Sequence, residues 1–439
     1  MQKIIIKNFR QISNAEIEVK DFLFLIGEQA SGKSTIAKLI YFFKSLKQDY
    51  IELMRKEAIK SNKQFVPNLI KKIQDKFAVY FGYTSGLSDD FYIEYFFSEE
   101  SNYSLKLYKE KRLIVEFEDN FFDFINRKTF ELKKGISISD EKQLSFFLHG
   151  KYSTLLIDTI KSVANEVFFD DKETLFFPAG RNITVSYPEQ FQLLFFSELN
   201  KQTNTIDIEL IRDFISYSKF LVDYFNAENK GISDTAFGKL VLKIISQILH
   251  GEYKNDNGRE KLFYGKNEYV PLNIASSGQQ EAIRIIQDAI YILSEKQKSS
   301  RIIEEPETHL FPKAQKLLIE LLILVANKTN SQIIITTHSP HVMATFNNML
   351  YYTKVLKEQP SKRETIEEFF STKGLNDQAK AKECMNVDPE KFQAYRLNVD
   401  SEKYCKSIFD SSIQLIGENS IDQETENINS EFDFLYSII

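Results

Sequence analysis

Hydrophobic and polar positions in the N-terminal part of the chain predict three strands and a helix in direct succession. Residues 3–9 and 15–19 are rich in hydrophobic and β-branched side chains, and a turn at 11–14 separates them, which is typical of two paired strands. The continuous apolar run Phe22–Ile26 indicates a strand buried on both faces. Apolar side chains at helical spacing then predict a helix over about 32–44.

The middle of the chain is predicted to be mainly helical, with one group of strands inside it. Helical patterns cover 46–80, where Pro67 predicts a break, and most of 120–170. Amphipathic helices are also predicted at Leu210–Phe225 and Ala236–Leu249. Between the first two helical regions, three short segments separated by polar turns predict an antiparallel meander: 91–97, 103–108 and 113–117.

Strands and helices alternate towards the C-terminal part of the chain. Short apolar strands are predicted at Thr174–Phe177, Arg301–Ile303 and Gln332–Thr336. A hairpin with its turn at 265–267 precedes the last two. Helices are predicted over 279–293, over 310–326 and after Pro340. Because strand–helix alternation is typical of βαβ units, the pattern predicts an α/β fold around a parallel sheet. No sustained heptad pattern predicts a long coiled-coil arm.

Composition and charge narrow the class of protein. The 439 residues carry 56 Lys and Arg against 62 Asp and Glu, and this net charge of -6 argues against a protein that coats nucleic acid. With 38 Phe and 21 Tyr, wholesale disorder is excluded. Cys384 and Cys405 cannot build a disulfide framework, and structural zinc lacks its Cys/His cluster. No apolar stretch reaches membrane-spanning length and Met1–Lys7 is no signal peptide, so a cytoplasmic protein without membrane contact is predicted.

The strongest chemical signal is the string GEQASGKS at residues 27–34, which fits the pattern G-x-x-x-x-G-K-[ST]. Phosphate binding needs backbone N–H groups that converge on an anion, and glycines allow that close approach. Lys33 would place a charge near the outer phosphates, and the Ser34 hydroxyl would ligate Mg²⁺. A chance match in a glycine loop is the alternative, but a buried strand precedes the string and a helix follows it. The predicted nucleotide-binding residues are Gly27, Gly32, Lys33, Ser34 and Thr35.

Acidic side chains follow a second predicted strand. Glu304 and Glu305 come directly after the apolar residues 302–303, and ligands of parallel sheets bind beyond the carboxyl ends of the strands. Because Mg²⁺ prefers one or two carboxylates together with phosphate oxygens and water, Glu304 is the predicted metal-side carboxylate. Glu305 is the candidate that orients or deprotonates the attacking water. The alternative is a charged loop after an edge strand.

Two further segments carry weaker signals. His338 follows the strand Gln332–Thr336 and would contact a phosphate or the attacking water, although a lone loop histidine is commonly structural. The predicted start of the helix near 279 carries serine hydroxyls, a glycine and free backbone N–H groups, which together can bind an anion or form an ordinary helix cap. Its candidate nucleotide-binding residues are Ser276, Ser277, Gly278 and Gln279.

The order and spacing of these segments resemble the ATPases of the SMC, RecF and OLD group, which are ABC-type ATPases. Five segments carry the resemblance: Ile6–Arg10, the glycine-rich loop, Ala275–Glu281, Glu304–Pro312 and Thr336–Pro340. Within the group the chain resembles most the ATPase subunits of anti-phage defence systems such as Septu and PARIS. Outside roughly 1–45 and 265–345 the resemblance is diffuse.

The resemblance implies a fold and a division of the chain. The fold would be an α/β ABC-ATPase head of the P-loop type with a mixed sheet, interrupted by a mainly helical insert with a small antiparallel meander. The expected parts are an N-terminal head segment (1–45), an insert for sensing or assembly (46–264), a C-terminal head segment (265–350) and an extension that is a possible partner dock (351–439). Within the extension, the acidic tail from residue 401, which ends in apolar residues, would dock a partner or form a plain solvated terminus.

The resemblance also implies roles for the candidate residues. Lys33 and Ser34 would be the Walker A residues, and Glu304 and Glu305 the Walker B pair. The signature segment at Ser277 and Gly278 would reach the γ-phosphate bound by a neighbouring subunit, and His338 would be the switch histidine. Two departures stand out: the signature reads SSGQQ rather than LSGGQ, and Glu replaces the usual Asp at 304. The glutamine of the Q-loop is not placed within 46–274. Arg10 and Arg181 are candidates for phosphate sensing or structural surface arginines.

The leading hypothesis is that the chain is an ATP-hydrolysing switch or scaffold subunit of a bacterial anti-phage complex. It would act as a homodimer or higher homo-oligomer and would control a separate effector, which is expected to be a nuclease. The chain has no Asp-x-Asp pair for a Toprim nuclease and no paired histidines for an HNH nuclease. DNA or a phage protein would be the trigger.

One alternative is a DNA-clamping or repair ATPase that uses a basic strip: Lys56, Lys60, Lys63, Lys71 and Lys72. Another is a scaffold that binds ATP almost without hydrolysis, which the intact Glu305 argues against.

Overall fold

The structure is a computed structural model that describes residues 1–57, 65–82, 86–137, 151–186, 205–227, 235–256, 258–372, 385–398, 404–417, 430 and 433. Its strands are β1 Gln2–Phe9, β2 Ile12–Val19, β3 Phe22–Ile26, β4 Tyr92–Ser98, β5 Tyr103–Lys109, β6 Leu113–Phe117, β7 Glu173–Phe177, β8 Glu252–Asp256, β9 Arg259–Phe263, β10 Tyr269–Pro271, β11 Ser299–Glu304, β12 Gln332–Thr337, β13 Phe392–Leu397, β14 Cys405–Ser407, β15 Phe409–Asp410 and β16 Leu415–Ile416.

Its α-helices are α1 Lys33–Glu57, α2 Phe65–Phe81, α3 Asp119–Ser137, α4 Lys151–Phe168, α5 Ile183–Ser186, α6 Ile206–Ala227, α7 Ala236–Leu249, α8 Ser277–Glu295, α9 Pro312–Thr329, α10 Pro340–Glu358 and α11 Arg363–Thr372. No helix among these described residues is long and apolar enough to cross a membrane.

A six-stranded sheet in the order β14-β13-β3-β12-β11-β7 forms the centre of the fold. The neighbours from β13 to β7 run parallel, and β14 pairs with β13 in the antiparallel sense. The helices connect the parallel strands, as the alternation in the sequence predicts. The predicted α/β class with a mixed sheet is confirmed.

A second, antiparallel sheet has the order β2-β1-β4-β5-β6. It contains the predicted meander, and the structure shows that β4 pairs with β1, for example Ile4 with Tyr95. The predicted turn at 11–14 lies earlier, because β2 already begins at Ile12. The predicted hairpin around 265–267 is also present as β9 and β10, with β8 on its other side.

Two helices differ from their predicted bounds. The helix after the glycine-rich loop does not end near Lys44 but continues to Glu57. Pro67 does not break a helix, because it lies in the first turn of α2, which begins at Phe65. A proline near a helix start removes an N–H group that has no intrahelical partner there.

The central sheet is buried on both faces, as the apolar run of β3 predicts. Leu23 and Leu25 pack into one hydrophobic cluster together with the antiparallel sheet and α1 to α4. Phe22, Phe24 and Ile26 pack into another, together with α7 to α10. Alternate side chains of a strand point to opposite faces, so an uninterrupted apolar run is required here.

The division into head, insert and extension stays a prediction as a set of ranges, and individual elements cross its borders. Helix α1 runs through the border at 45/46. Strand β7, within 46–264, pairs with β11 in the central sheet. Strand β13, within 351–439, pairs with β3. Sheet pairing between distant segments is not visible in local hydrophobic patterns, and it makes the insert and the extension contribute strands to the centre of the fold.

Candidate functional site

The glycine-rich loop lies at the carboxyl end of β3, between β13 and β12. The end of β3 is in register with both neighbours, since Ile26 pairs with Thr337 on one side and Arg396 on the other. Gly32 has a φ of +87°, which favours glycine, and a Cβ there would collide with the Tyr404 hydroxyl. A Cβ at Gly27 would lie 2.7 Å from the Ser31 hydroxyl oxygen. The loop therefore needs its glycines for both conformation and space.

Lys33 places its ammonium group over this loop. Its Nζ donates to the carbonyl oxygens of Gly27 at 2.8 Å and Glu28 at 2.7 Å, and to the Ser31 hydroxyl at 3.4 Å. The side chain is buried, and burial lowers its pKa to about 8, although the nearby carboxylates of Glu305 and Glu307 favour the charged form. Lys33 is thus a buried cation near the loop that is predicted to hold phosphates.

The two hydroxyl residues at the start of α1 differ in their surroundings. Ser34 is exposed, so its hydroxyl is accessible to a ligand. Thr35 is buried, and its hydroxyl oxygen accepts a hydrogen bond from the Gln11 side chain at 3.1 Å. Of the two side chains, Ser34 is therefore the better candidate to reach a metal ion, and Thr35 links the helix start to the turn between β1 and β2.

The predicted acidic pair lies at the end of β11, next to β12 in the same sheet. Glu304 is buried; its Oε2 accepts from the backbone N–H of Ala179 at 3.2 Å, and its Oε1 has no hydrogen-bond partner among the described residues. Glu305 has a φ of 42°, unusual for a residue with a side chain, and its N–H donates to the Thr336 carbonyl at 3.0 Å. The structure therefore aims two neighbouring carboxylates in different directions.

His338 lies beside Glu305. Its Nε2 is 3.4 Å from a Glu305 carboxylate oxygen, and both side chains are partly exposed. The hydrogen bond to His338 is the main reason why the pKa of Glu305 lies below its usual value, and the charges of Lys33 and Arg181 act in the same direction. Glu305 therefore carries a partly exposed carboxylate that lies near the glycine-rich loop.

Glu307 has a supporting role that sequence reasoning missed. Its Oε1 accepts hydrogen bonds from the Thr337 hydroxyl at 2.5 Å and from the His338 N–H at 2.9 Å. Burial raises the pKa of Glu307. The residue thus fixes the segment that carries His338. Its place in the string EEPE was a signal, but the sequence does not show which strand end its side chain reaches.

The predicted signature residues form the start of α8. Ser276 caps the helix and forms a capping box with Gln279, whose amide also donates to the Leu249 carbonyl at 2.6 Å. Ser277 is exposed. Gly278 packs so closely on the next loop that a Cβ would lie 2.5 Å from the His309 carbonyl oxygen. Among the described residues, no hydrogen bond joins this turn to the glycine-rich loop or the acidic pair of the same chain.

Of the two arginine candidates, Arg181 is not a surface residue. It is completely buried and donates to the backbone carbonyls of Glu304 and Glu305. Arg10 is exposed and donates to the Phe81 carbonyl at 3.1 Å. Arg181 therefore supports the acidic loop, which comprises Glu304–Glu307, whereas Arg10 lies at the turn between β1 and β2.

The donor set fits a Mg²⁺ ion bound together with phosphates. The described residues contain no cluster of three or more His, Cys, Asp or Glu side chains that would hold a metal on its own. They do contain the unpartnered Oε1 of Glu304 and the exposed hydroxyl of Ser34. Mg²⁺ commonly takes one or two protein ligands and completes its shell with phosphate oxygens and water.

A C-terminal residue supports the glycine-rich loop from the side. The Tyr404 hydroxyl donates to the Ser31 carbonyl at 2.5 Å, and the side chain is mostly buried. The Leu397 carbonyl lies 2.9 Å from the Cβ position of Gly27. Sequence reasoning did not find this contact, because residues so far apart in the chain share no local pattern.

Fold and loop together define a P-loop ATPase domain. Residues 1–343 match the AAA ATPase domain family AAA_15, so the chain belongs to this family. A comparison with curated proteins found no match.

Three solved structures are similar to the chain. One is an Smc head bound to the C-terminal winged-helix domain of ScpA, with 13% identity, a TM-score of 0.38, and coverage of 78% of this chain and 90% of that one. Another is the SMC head domain from Thermotoga maritima, with 12% identity, a TM-score of 0.34, and coverage of 78% of this chain and 90% of that one. The third is an Smc head domain with an extended coiled coil bound to the C-terminal domain of ScpA derived from Pyrococcus furiosus, with 12% identity, a TM-score of 0.34, and coverage of 79% of this chain and 92% of that one. Since these scores are low, the family assignment rests on the sequence match.

The lowered pKa of Lys33 predicts a pH dependence of nucleotide binding. As pH rises through about 8, the free protein loses the ammonium charge, so ATP affinity should fall above that pH. The fall should approach about tenfold per pH unit, since a bound phosphate would hold the proton. Binding of a fluorescent ATP analogue between about pH 7 and about 9.5 measures this; Lys33→Arg, which stays charged, is the control. Equal pH profiles for the two proteins would contradict the prediction.

The contact between Tyr404 and the loop predicts a selective effect on nucleotide affinity. Tyr404→Phe removes the hydroxyl that holds the Ser31 carbonyl, and one such hydrogen bond contributes about 1 kcal/mol. ATP affinity should therefore fall about fivefold while the maximal hydrolysis rate stays similar, because Glu305 is not touched. Tyr264→Phe, at an exposed tyrosine, is the matched control. The prediction is wrong if both variants bind ATP like the unmodified protein.

Proposed function

We propose that this chain is an ATP-hydrolysing switch subunit that works as a homodimer or higher homo-oligomer and controls a separate effector protein. The observation that carries the proposal is the convergence of three strand ends. Lys33 lies beyond β3, Glu305 beyond β11 and His338 beyond β12, and Nε2 of His338 is 3.4 Å from the Glu305 carboxylate. Parallel strands present their ligand sites at this edge.

The glycine-rich loop would bind the phosphates of ATP. Backbone N–H groups around Gly27 and Gly32, together with the positive end of α1, supply the anion site. Lys33 would exchange its present carbonyl partners for phosphate oxygens, which are stronger acceptors for an ammonium group. Ser34 and Glu304 would hold Mg²⁺, which when bound neutralises phosphate charge.

Hydrolysis requires a group that orients and deprotonates water, and Glu305 is the candidate. Its lowered pKa keeps it ionised near neutral pH, so it can accept a proton. Its carboxylate is partly exposed and therefore within reach of solvent. His338 would hold that carboxylate in place and would contact the phosphate or the water. Glu307 fixes the backbone of His338.

The signature turn would complete the site of a second subunit. The side chains of Ser276 and Ser277 are exposed, and the free N–H groups at the start of α8 can bind an anion. Two large apolar side chains near the turn are exposed: Ile274, two residues before Ser276, is 70% exposed, and Phe311, which follows the His309 and Leu310 that Gly278 touches, is 75% exposed. Exposed apolar side chains of this size support a protein contact at this face.

Control of a separate effector follows from the resemblance to anti-phage ATPase subunits. ATP would favour the closed dimer over separate subunits, and this difference in affinity between two states is what a switch requires. The effector is expected to be a nuclease, and DNA or a phage protein is the expected trigger.

A DNA-clamping or repair ATPase remains the second candidate. Its basic strip is only partly available in the structure, since Lys72 forms ion pairs with Asp49 at 3.2 Å and Glu52 at 2.8 Å. Lys56 and Lys71 are exposed, whereas Lys60 and Lys63 lie outside the described residues. Pairing of Lys72 lowers the charge offered to a phosphate backbone, which favours the first candidate.

Glu305→Gln should stop hydrolysis and preserve nucleotide binding. The amide cannot take a proton, so the rate should fall by about 10²- to 10⁴-fold. ATP should then hold the protein as a stable dimer, measured by sedimentation with and without ATP. Glu358→Gln, at the far end of α10, is the control and should hydrolyse normally. Unchanged hydrolysis in Glu305→Gln would exclude Glu305 as the base.

The acidic tail is the proposed contact with the effector, and its last part, residues 418–439, carries six Asp and Glu and no Lys or Arg. A deletion should begin at residue 418, because Ile416 is buried and exchanges hydrogen bonds with Asn347. Removal of 418–439 should leave ATP hydrolysis unchanged and weaken association with the effector by about tenfold or more. The probe is the purified product of the adjacent gene, tested by sedimentation with ATP. Association that does not change on deletion would refute docking through this segment.

A further inference from the structure

Arg181 occupies a completely buried position directly after β7, in the segment Pro178–Arg181. The two terminal nitrogens of its guanidinium group donate to three backbone carbonyls: Pro178 at 2.9 Å, Glu304 at 2.6 Å and Glu305 at 3.0 Å. A planar guanidinium fork fixes the relative positions of its acceptors. The side chain therefore fixes the backbone of the acidic loop.

Arg181 is also hydrogen-bonded to α8, the helix that begins with the predicted signature residues. The backbone N–H of Arg181 donates to Oε2 of Glu281 at 3.0 Å, and its Nε lies 3.3 Å from the same oxygen and donates to the Glu281 carbonyl at 3.3 Å. Glu281 is also almost completely buried and lies one turn after Gly278 on α8. A displacement of the start of α8 must therefore move Arg181 or break a buried ion pair.

The peptide that Arg181 holds is conformationally strained. Glu305 has a φ of 42°, and such a conformation persists only where surrounding contacts fix it. The N–H of Glu305 donates to the Thr336 carbonyl, and the Glu305 carbonyl accepts from the Arg181 guanidinium and from the N–H and hydroxyl of Thr308. Of these carbonyl contacts, the one from Arg181 comes from a distant part of the chain, whereas Thr308 lies three residues further on. Loss of the Arg181 contact would therefore let the carboxylate of Glu305 shift together with its own turn, and a shift of about 1 Å in a reacting group costs about 10²-fold in rate.

We propose that Arg181 is a positioning residue that couples the signature turn of a subunit to the Glu305 carboxylate of the same subunit. When a neighbour's nucleotide engages the turn at Ser277 and Gly278, α8 and Glu281 would fix Arg181, and Arg181 would fix Glu305. Each site would then hydrolyse ATP only after its own subunit has engaged the opposite nucleotide. This coupling rests on the proposed function and adds a mechanism by which the two composite sites act together.

The chain offers a matched control on the same helix. Arg284 is equally buried, and its guanidinium binds Glu260 through two hydrogen bonds, at 2.6 Å and 2.7 Å. It also contacts Gln287 and Thr184, whose hydroxyl donates to the Arg181 carbonyl, but among the described residues none of its contacts reaches Glu304 or Glu305. Arg284→Lys therefore removes a similar buried guanidinium without touching the acidic loop.

Arg181→Lys keeps the positive charge and removes the planar guanidinium group that contacts several carbonyls at once. We expect kcat to fall about tenfold or more while the dissociation constant for ATP changes by less than about threefold, since the glycine-rich loop is unaffected. The dependence of rate on ATP concentration should lose its cooperativity, with a Hill coefficient that falls towards about one. Arg284→Lys should retain both the rate and the cooperativity of the unmodified protein. Glu281→Gln weakens the contact between α8 and Arg181. It should therefore show the same fall in kcat and in cooperativity, with the same small change in the dissociation constant for ATP, and it provides the test if Arg181→Lys does not fold.

Normal kcat and normal cooperativity in Arg181→Lys or in Glu281→Gln would overturn the coupling. Equal losses in the Arg181 and Arg284 variants would overturn it as well, because they would show a general effect of buried arginines. The proposed function itself fails in a different way: the unmodified protein would then neither hydrolyse ATP nor form dimers with it. The two failures are therefore distinguishable in one set of proteins.

Discussion

The structure depends on one constraint: parallel strands that are adjacent in a sheet end at the same edge. Strands β3, β12 and β11 are neighbours, and their burial on both faces demands the continuous apolar runs that the sequence contains. Polar residues that follow those runs must therefore meet. Lys33 is far in sequence from Glu305 and His338, and the three residues lie together for this reason.

Each chemical group at this edge is held by a second group from another part of the fold. Tyr404 supports the loop of Lys33, Glu307 fixes the backbone of His338, and Arg181 fixes the backbone of Glu305. These supports come from the C-terminal strands, the acidic loop and the segment after β7. A site for phosphate transfer needs such fixed positions, because most of its effect comes from placement and electrostatics.

The sequence predicted well which strands lead into the glycine-rich loop, the acidic pair and His338, because a strand buried on both faces and a glycine-rich loop have local signatures. It did not predict the supports. Tyr404 and the Ser31 carbonyl are 373 residues apart, and Arg181 and Glu281 are 100 apart. Such contacts depend on which strand lies next to which, and local periodicity does not encode that order. The pairing of β1 with β4 was missed for the same reason.

The central claim is that one subunit's glycine-rich loop and its neighbour's signature turn share one nucleotide. Two variants, Lys33→Ala and Ser277→Arg, are each combined with Glu305→Gln, so that hydrolysis does not interfere. Each protein alone should stay monomeric with ATP, because every possible pair has two defective sites. Mixed together, they should sediment as a dimer with one nucleotide, because one site in the mixed pair is intact. A mixture that stays monomeric, or a Ser277 variant that dimerises alone, would contradict a shared site.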